Sequence, residues 1–190
     1  ELPASYKTRF PGELSGGEKQ RINLARALAA EPELILCDEV TSALDTVVGK
    51  AIIDLLKKLQ TNLGVAYLFI SHDLSTVASF ADQVVVLYAG RVVEQGSLAS
   101  VLAPPFHPYT RLLLASVPEL RTDWLDGVVA SKTHLDHLGQ LVDGNAVGCP
   151  FFNRCASAVA DVCNRHDPPL REASQGHTVA CHLELDSLHM

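Results

Sequence analysis

The chain has 190 residues, 47% of them hydrophobic, which is enough to bury a real core and favours one domain with an appendage. Its formal net charge of −7, with 22 acidic against 15 basic side chains, argues against a nucleic-acid partner, because neutralising a phosphate backbone takes clustered Lys and Arg. No apolar run reaches the length of a membrane-spanning helix, and Glu1 to Gly12 lacks the basic start and apolar stretch of a secretory signal, so a soluble, cytosolic chain is expected. Because it opens at Glu1 in the middle of what reads as a domain, the chain is also expected to be a fragment.

Residues 1–13, with Pro3, Pro11 and Gly12, read as a loop. The loop leads to Leu14-Ser15-Gly16-Gly17-Glu18-Lys19-Gln20-Arg21, followed by Ile22, Leu24, Ala25 and Leu28 at helical spacing. A hydroxyl residue before two glycines is how a helix opens when its first N–H groups must lie bare against an anion. Ser15 can cap the helix or donate to a phosphate oxygen, glycine removes the Cβ that would hold phosphate off, and the helix dipole adds partial positive charge. The helix is expected from Gly16 to Ala30, stopped by Pro32.

Leu34-Ile35-Leu36-Cys37 is an apolar run too short for a helix, so it reads as a buried strand of a parallel sheet with Asp38 and Glu39 at its carboxyl end. Ligands gather at that edge of an open α/β sheet. Thr41-Ser42-Ala43-Leu44-Asp45 suits the cap of a helix through Val48, Ile52, Leu55, Leu56 and Leu59, closed by Gly64. A second buried strand, Val65 to Ile70, ends in Ser71-His72-Asp73 and so delivers an imidazole to the edge that holds the two acids. A short helix near Leu74 to Phe80 comes next, then a hairpin from Gln83 through Ala89-Gly90-Arg91 to Glu94. Gly96-Ser97 opens a further short helix toward Leu102.

In this order the motifs resemble those of the ABC ATPases: Leu14 to Arg21 the signature, Leu34 to Glu39 the Walker B strand, Thr41 to Asp45 the D-loop, and His72 the switch histidine. The resemblance implies an α/β fold, with residues 1–102 as the C-terminal part of a nucleotide-binding domain of parallel strands and flanking helices. It also implies ATP and Mg²⁺ as cofactors, with Asp38 holding Mg²⁺ through water, Glu39 orienting or deprotonating the attacking water, and His72 contacting the γ-phosphate. Ser15, Gly16, Gly17 and Glu18 would face nucleotide bound by an opposing cassette, and Asp45 would sit at the interface. Val40 stands where many relatives have proline, which alters the stiffness of the turn and no catalytic group. No Gly-x-x-x-x-Gly-Lys-Ser/Thr loop occurs in these residues, so the chain alone is expected not to hydrolyse ATP.

Pro104-Pro105-Phe106-His107-Pro108-Tyr109-Thr110, with the leucine-rich helix expected over Arg111 to Val117, resembles the C-terminal extension of the oligopeptide and dipeptide importer ATPases, a group with nickel-import relatives. Three prolines freeze a connector, and His107 is expected to be structural. Residues 119–146 are expected to be a linker that wraps back on the cassette. Beyond them Cys149, Cys155, Cys163 and Cys181 fall in a segment with little core of its own, which calls for a staple. The residue types alone leave iron–sulfur, zinc and oxidative disulfides open, with gaps unlike the paired knuckles of zinc ribbons or the ferredoxin run. The resemblance implies a [4Fe-4S] cluster on these four, with zinc as the alternative. His166, His177 and His182 are expected to be bystanders, and Cys37 a small buried hydrophobe.

As a whole the resemblance implies the ATP-hydrolysing subunit of an importer of peptides or similar solutes, peripheral on the cytoplasmic face of the inner membrane. Residues 103–190 would be its importer-type extension. Implied partners are a second ABC ATPase subunit, transmembrane permease subunits and, indirectly, an extracytoplasmic solute-binding protein. One rival is the terminal lobe of a genome-maintenance ATPase, against which stand the absence of heptads, the Ala89-Gly90-Arg91 hairpin and the acidic charge. The other is a metal or redox module built on the cysteine segment.

Overall fold

The protein is seen in a computed structural model that describes residues 3–42, 44–117 and 147–189. The chain divides into two compact units, Glu1–Phe80 and Ala81–Met190. The expected division at residue 102 follows the sequence motifs, whereas compactness divides the chain between Phe80 and Ala81.

The first unit runs α1 (Gly16–Leu28), β1 (Leu34–Asp38), α2 (Thr46–Leu63), β2 (Ala66–Ile70) and α3 (Leu74–Phe80). Strands β1 and β2 pair in parallel with Asp38 opposite Ile70, and α2 is the crossover between them. The limits of α2 have local causes. The Asp45 carboxylate accepts from the Val48 N–H at 2.9 Å at one end, and Gly64 takes φ +68° at the other. Its apolar face, Ile52, Ile53 and Leu56, packs on Ile35 and Cys37 of β1 and on Val65. Each such side chain stabilises the fold by roughly 1.5–3 kcal/mol when fully buried. Helix α1 stops short of the expected Ala30, and Glu31 then turns the chain with φ +50°.

The expectation of two fully buried strands needs correction. Ile35 and Cys37 are buried on one face, but Leu36 is 66% exposed on the other, and Leu34, Leu68 and Ile70 share that exposure. Strand side chains alternate between faces, and the described residues cover only one of them.

The second unit runs β3 (Gln83–Tyr88), β4 (Arg91–Ser97), α4 (Leu98–Val101), α5 (Pro108–Ala115), β5 (Leu170–Ser174) and β6 (His177–Ala180). Its sheet is antiparallel in the order β3-β4-β6-β5. Ala89 and Gly90, both at positive φ, make the tight β3–β4 turn. The β5–β6 hairpin was not anticipated; its signal is Gln175-Gly176, with Gly176 at φ +71°. The cysteine-bearing tail therefore extends the hairpin's sheet through β6 and is not a separate coreless module.

One irregularity matters later. Val86 faces Glu94 while Leu87 faces Val92, so Val93 is an extra residue in β4. That bulge lets Val93 and Glu94 both turn inward, at 2% and 0% exposure. Val86, Tyr88, Val93, Val101 and Phe151 form the core of this unit, with the Tyr88 ring 4.7 Å from Tyr109 and 5.2 Å from Phe151. Helix α5 begins at Pro108, earlier than expected, because the His107 Nδ1 accepts from the Tyr109 N–H at 3.0 Å and Pro108 needs no partner in the first turn. The linker expected over residues 119–146 lies outside the described residues. Among those residues no helix is long and apolar enough to cross a membrane.

Candidate functional site

Parallel pairing brings the carboxyl ends of β1 and β2 side by side, and the residues just past them meet there. The Glu39 N–H donates to the Ile70 carbonyl at 3.0 Å, which ties the two strand ends together. Glu39 adopts φ +45°, a left-handed conformation that costs a non-glycine residue about 1–2 kcal/mol. The Ser42 N–H and hydroxyl both donate to the Glu39 carbonyl, at 3.1 and 2.9 Å, and offset that cost. The turn leaves the Glu39 Oε1 3.0 Å from the His72 Nδ1, with the side chains 50% and 74% exposed. Asp38, at the end of β1, is exposed beside them. A carboxylate and an imidazole in contact, both open to solvent, can orient a water and take its proton. Strain of this kind at a loop fits a position set by function more than by folding.

The second constellation is the tip of α1. The Ser15 Oγ accepts from the Glu18 N–H at 3.3 Å, and the Glu18 Oε2 accepts from the Ser15 N–H at 2.7 Å, a reciprocal capping box. Because Ser15 caps as an acceptor, its own O–H stays able to donate to an anion. The other oxygen of Glu18 accepts the Tyr6 hydroxyl, and the Arg9 guanidinium stands 4.2 Å over the Tyr6 ring. The Tyr6 hydrogen bond first, then those from Ser15, hold the Glu18 carboxyl down at about 2. Sequence reasoning missed Tyr6 and Arg9, which sit in the preceding loop with no pattern to mark them.

At the tip itself Ser15 and Gly16 are exposed, whereas Gly17 is buried. A Cβ at Gly17 would fall 2.5 Å from Cγ1 of Val48 on α2. The expectation of two bare glycines is corrected accordingly: Gly16 faces solvent, and Gly17 lets α1 and α2 approach. Asp45 serves as the cap of α2 and is itself exposed.

The four late cysteines are free thiols. The Cys149 N–H donates to the Cys163 carbonyl at 2.7 Å, and the Val159 N–H points at the Cys163 Sγ at 3.4 Å. Burial pushes the Cys149, Cys155 and Cys181 thiols up, Cys155 to about 11, and the neighbouring thiols push the same way. Among the described residues no group of three or more His, Cys, Asp or Glu side chains is arranged to hold a metal ion. The four sulfurs as placed form no ready-made metal site, and Asp38, expected to act on Mg²⁺ through water, calls for no such group. The sulfurs are packed as apolar side chains, Cys149 and Cys155 against the Phe151 core and Cys181 with Val179 and Leu188.

A family model described as ABC transporter matches residues 2–42, and one described as the C-terminal region of the oligopeptide/dipeptide transporter matches residues 93–163. Over those two stretches the chain is similar to the oligopeptide/dipeptide ABC transporters. It is 44% identical over 182 residues, 96% of its length, to a protein of Brucella abortus (strain 2308) that bears the name of a peptide import ATP-binding protein. A protein of the same name from Brucella melitensis (biotype 1) is 43% identical over 182 residues. These alignments cover 52% and 46% of the two relatives, so the chain spans about half the length of the curated relatives it matches. Among solved structures, the dimeric bacterial ABC transporter cassette MJ0796 superposes with a TM-score of 0.45 at 38% identity, over 51% of this chain and 41% of that one. The first family match takes in the α1 tip and the Asp38-Glu39 pair, and the second takes in Cys149, Cys155 and Cys163. Asp45, His72 and Cys181 lie beyond both, and for them the structure adds what the motifs alone do not carry.

Proposed function

We propose that this chain supplies the signature tip, the Asp38-Glu39 pair and the switch histidine of an ATP-hydrolysing subunit that energises uptake of peptides or similar solutes. The observation that carries the reading is the Glu39–His72 pair, 3.0 Å apart, exposed, and delivered by adjacent parallel strand ends beside Asp38. In this reading Asp38 holds Mg²⁺ through water, Glu39 orients and deprotonates the attacking water, and His72 touches the γ-phosphate. Ser15 and Gly16, with Gly17 and Glu18 behind them, meet nucleotide bound by an opposing cassette, and Asp45 lies at that interface. The partners are a second ABC ATPase subunit, permease subunits in the inner membrane and, indirectly, an extracytoplasmic solute-binding protein. The subunit is peripheral on the cytoplasmic face.

The 190 residues hold no phosphate-binding Gly-x-x-x-x-Gly-Lys-Ser/Thr loop, so the chain by itself turns over no ATP. Its contribution is read by pairing it with an ATP-loaded cassette that carries such a loop. The wild-type chain is expected to associate with it only when ATP is present, and Ser15→Arg to abolish the association. Failure of the wild-type chain to associate under any nucleotide condition overturns the reading. In the assembled ATPase, Glu39→Gln should lower turnover by roughly 100-fold or more while nucleotide binding persists.

A second reading concerns the four thiols, and it is favoured by the Cys149 N–H on the Cys163 carbonyl, by Cys149 and Cys155 on the same Phe151 core, and by the 2.9 Å contact of His182, next to Cys181, with the His166 carbonyl. Their chemistry suits a [4Fe-4S] cluster, with zinc as the alternative, although the sulfurs would have to close in to ligate either. Buried protonated thiols become ligands only as their protons leave, and a cation supplies the compensation. Visible absorption with iron and zinc analysis of anaerobically purified protein decides it. Brown, iron-rich protein supports the cluster, zinc-rich colourless protein the alternative, and protein lacking both metals rejects the reading.

A further inference from the structure

One residue at the α1 tip is out of keeping with an anion site. Glu18 brings a negative charge to the third helical position, next to the exposed Ser15 and Gly16, and a carboxylate there repels an arriving phosphate. It also competes with that phosphate for the positive end of the same helix dipole. The capping box engages only one of its oxygens. Glu18 Oε2 accepts from the Ser15 N–H at 2.7 Å, which leaves Oε1. A carboxylate held through one oxygen is free to turn the other toward solvent and the tip.

The Tyr6 hydroxyl takes Oε1, reaching it from 12 residues upstream. The phenol donates and the carboxylate accepts, a charge-assisted hydrogen bond. Tyr6 is placed by local structure. It lies in the 3₁₀ turn Ala4–Thr8, where its N–H donates to the Pro3 carbonyl at 3.0 Å and its carbonyl accepts the Arg9 N–H at 3.2 Å. The Arg9 guanidinium then covers one face of the ring, 4.2 Å from its centre. A second 3₁₀ turn, Pro11–Glu13, is closed by the Glu13 carboxylate, which accepts the Phe10 N–H at 2.7 Å. The stretch that read as plain loop is therefore two fixed turns that return one phenol to the start of α1.

We propose that Tyr6 is a positioning residue for the signature tip, whose hydroxyl keeps the Glu18 carboxylate engaged and its charge off the anion that Ser15 and Gly16 receive. The role rests on the reading in which nucleotide of an opposing cassette meets this tip. Tyr6 acts through Glu18 and not by touching the phosphate.

Two measurements separate the role from that reading. In the isolated 190-residue chain, Tyr6→Phe should speed exchange of the Ser15 amide with solvent by about threefold, because the acceptor of that amide has lost its second anchor. Unchanged exchange refutes the hold, whatever nucleotide does. In the pairing assay with an ATP-loaded cassette that carries its own phosphate loop, Tyr6→Phe should weaken association about fivefold, the effect of losing one hydrogen bond to a charged group at the surface. The same change made on top of Glu18→Gln should weaken it by less than about twofold, since a neutral amide has no charge to keep from the anion. Equal losses in the two backgrounds assign Tyr6 to packing alone and overturn the proposal, and so does full association of Tyr6→Phe. A variant that merely loosens the first unit produces that equal loss and counts against it. If the wild-type chain pairs under no nucleotide condition, the reading of the tip falls; faster Ser15 exchange in Tyr6→Phe then marks Tyr6 as a support of the cap only, which overturns its role toward nucleotide.

Discussion

The molecule contains the same chemical pair twice, a glutamate against a histidine. In the first unit Glu39 and His72 meet at 3.0 Å with both side chains half or more exposed; in the second Glu94 and His177 meet at 2.8 Å with neither exposed. The distances barely differ, and the surroundings decide what each pair does. Water competes for the first pair at every moment, so it adds little to stability and is free to engage a ligand. The second pair has given up water altogether, so it is committed to the fold, and removing either partner strands the other. Distance alone identifies neither role.

The largest effect that would break this contrast comes from Glu94→Ala. Loss of one member of a buried pair destabilises by about 3–5 kcal/mol, and the loss should be confined to the second unit. Amide exchange in β4 and β6 reads it directly, and protection there equal to wild type would mean that burial does not separate the two pairs. His107 gives the next effect. Its Nδ1 accepts a hydrogen bond, which demands the neutral ring, and burial pulls its pKa from 6.5 down to about 4. Below pH 6.5 the unfolded chain takes up a proton that the folded one refuses. The stabilisation is therefore complete above pH 6.5 and is lost as the pH falls toward 4, by an amount on the order of 3 kcal/mol. Urea midpoints for wild type and His107→Gln should diverge at neutral pH and converge on acidification.

Gly17→Ala is smaller and falls in the first unit. Its Cβ would press within 2.5 Å of Val48 Cγ1, on a stiff β-branched side chain that has few ways to yield. Overpacking of this sort costs roughly 1–3 kcal/mol, and the midpoint of thermal unfolding should fall accordingly. In the ATP-dependent pairing assay the same variant tests whether the α1–α2 approach sets the aim of the tip at Ser15 and Gly16.

These residues also mark what the sequence could and could not disclose. The meeting of Glu39 with His72 was legible, because two apolar runs with a helix between them dictate parallel strands whose carboxyl ends adjoin. The caps at Ser15 and Asp45 and the stop at Gly64 were legible for local reasons of the same kind. Glu94 was not. Strict alternation from Val93 would turn it outward, and only the bulge, a consequence of pairing with β3, reverses it. His177 read as a bystander because its partner lies 83 residues away in sequence. At Gly17 nothing in a linear motif shows that Val48 occupies the side where a Cβ would stand. The half-covered strands escaped for the opposite reason, since an apolar run records what a strand can bury rather than what the described chain places over it.

The smallest expected effect on stability sharpens the contrast most. Glu39→Gln keeps the volume, keeps an oxygen near the His72 Nδ1, and leaves the Glu39 N–H on the Ile70 carbonyl, so the first unit should unfold within about 0.5 kcal/mol of wild type. What it removes is the charge that can take a proton from water, and turnover in the assembled ATPase should collapse. A variant neutral in a urea melt and silent in an ATPase assay is the signature of a pair reserved for chemistry. The mirror case is Glu94→Gln, whose amide can still satisfy both neighbours but must donate to one nitrogen of a ring that no solvent reaches. It should leave turnover intact while shifting the His177 imidazole nitrogen resonances to the other tautomer. If Glu39→Gln instead melted the first unit, the Glu39–His72 contact would belong to the fold, and exposure would lose its standing as the property that tells the two pairs apart.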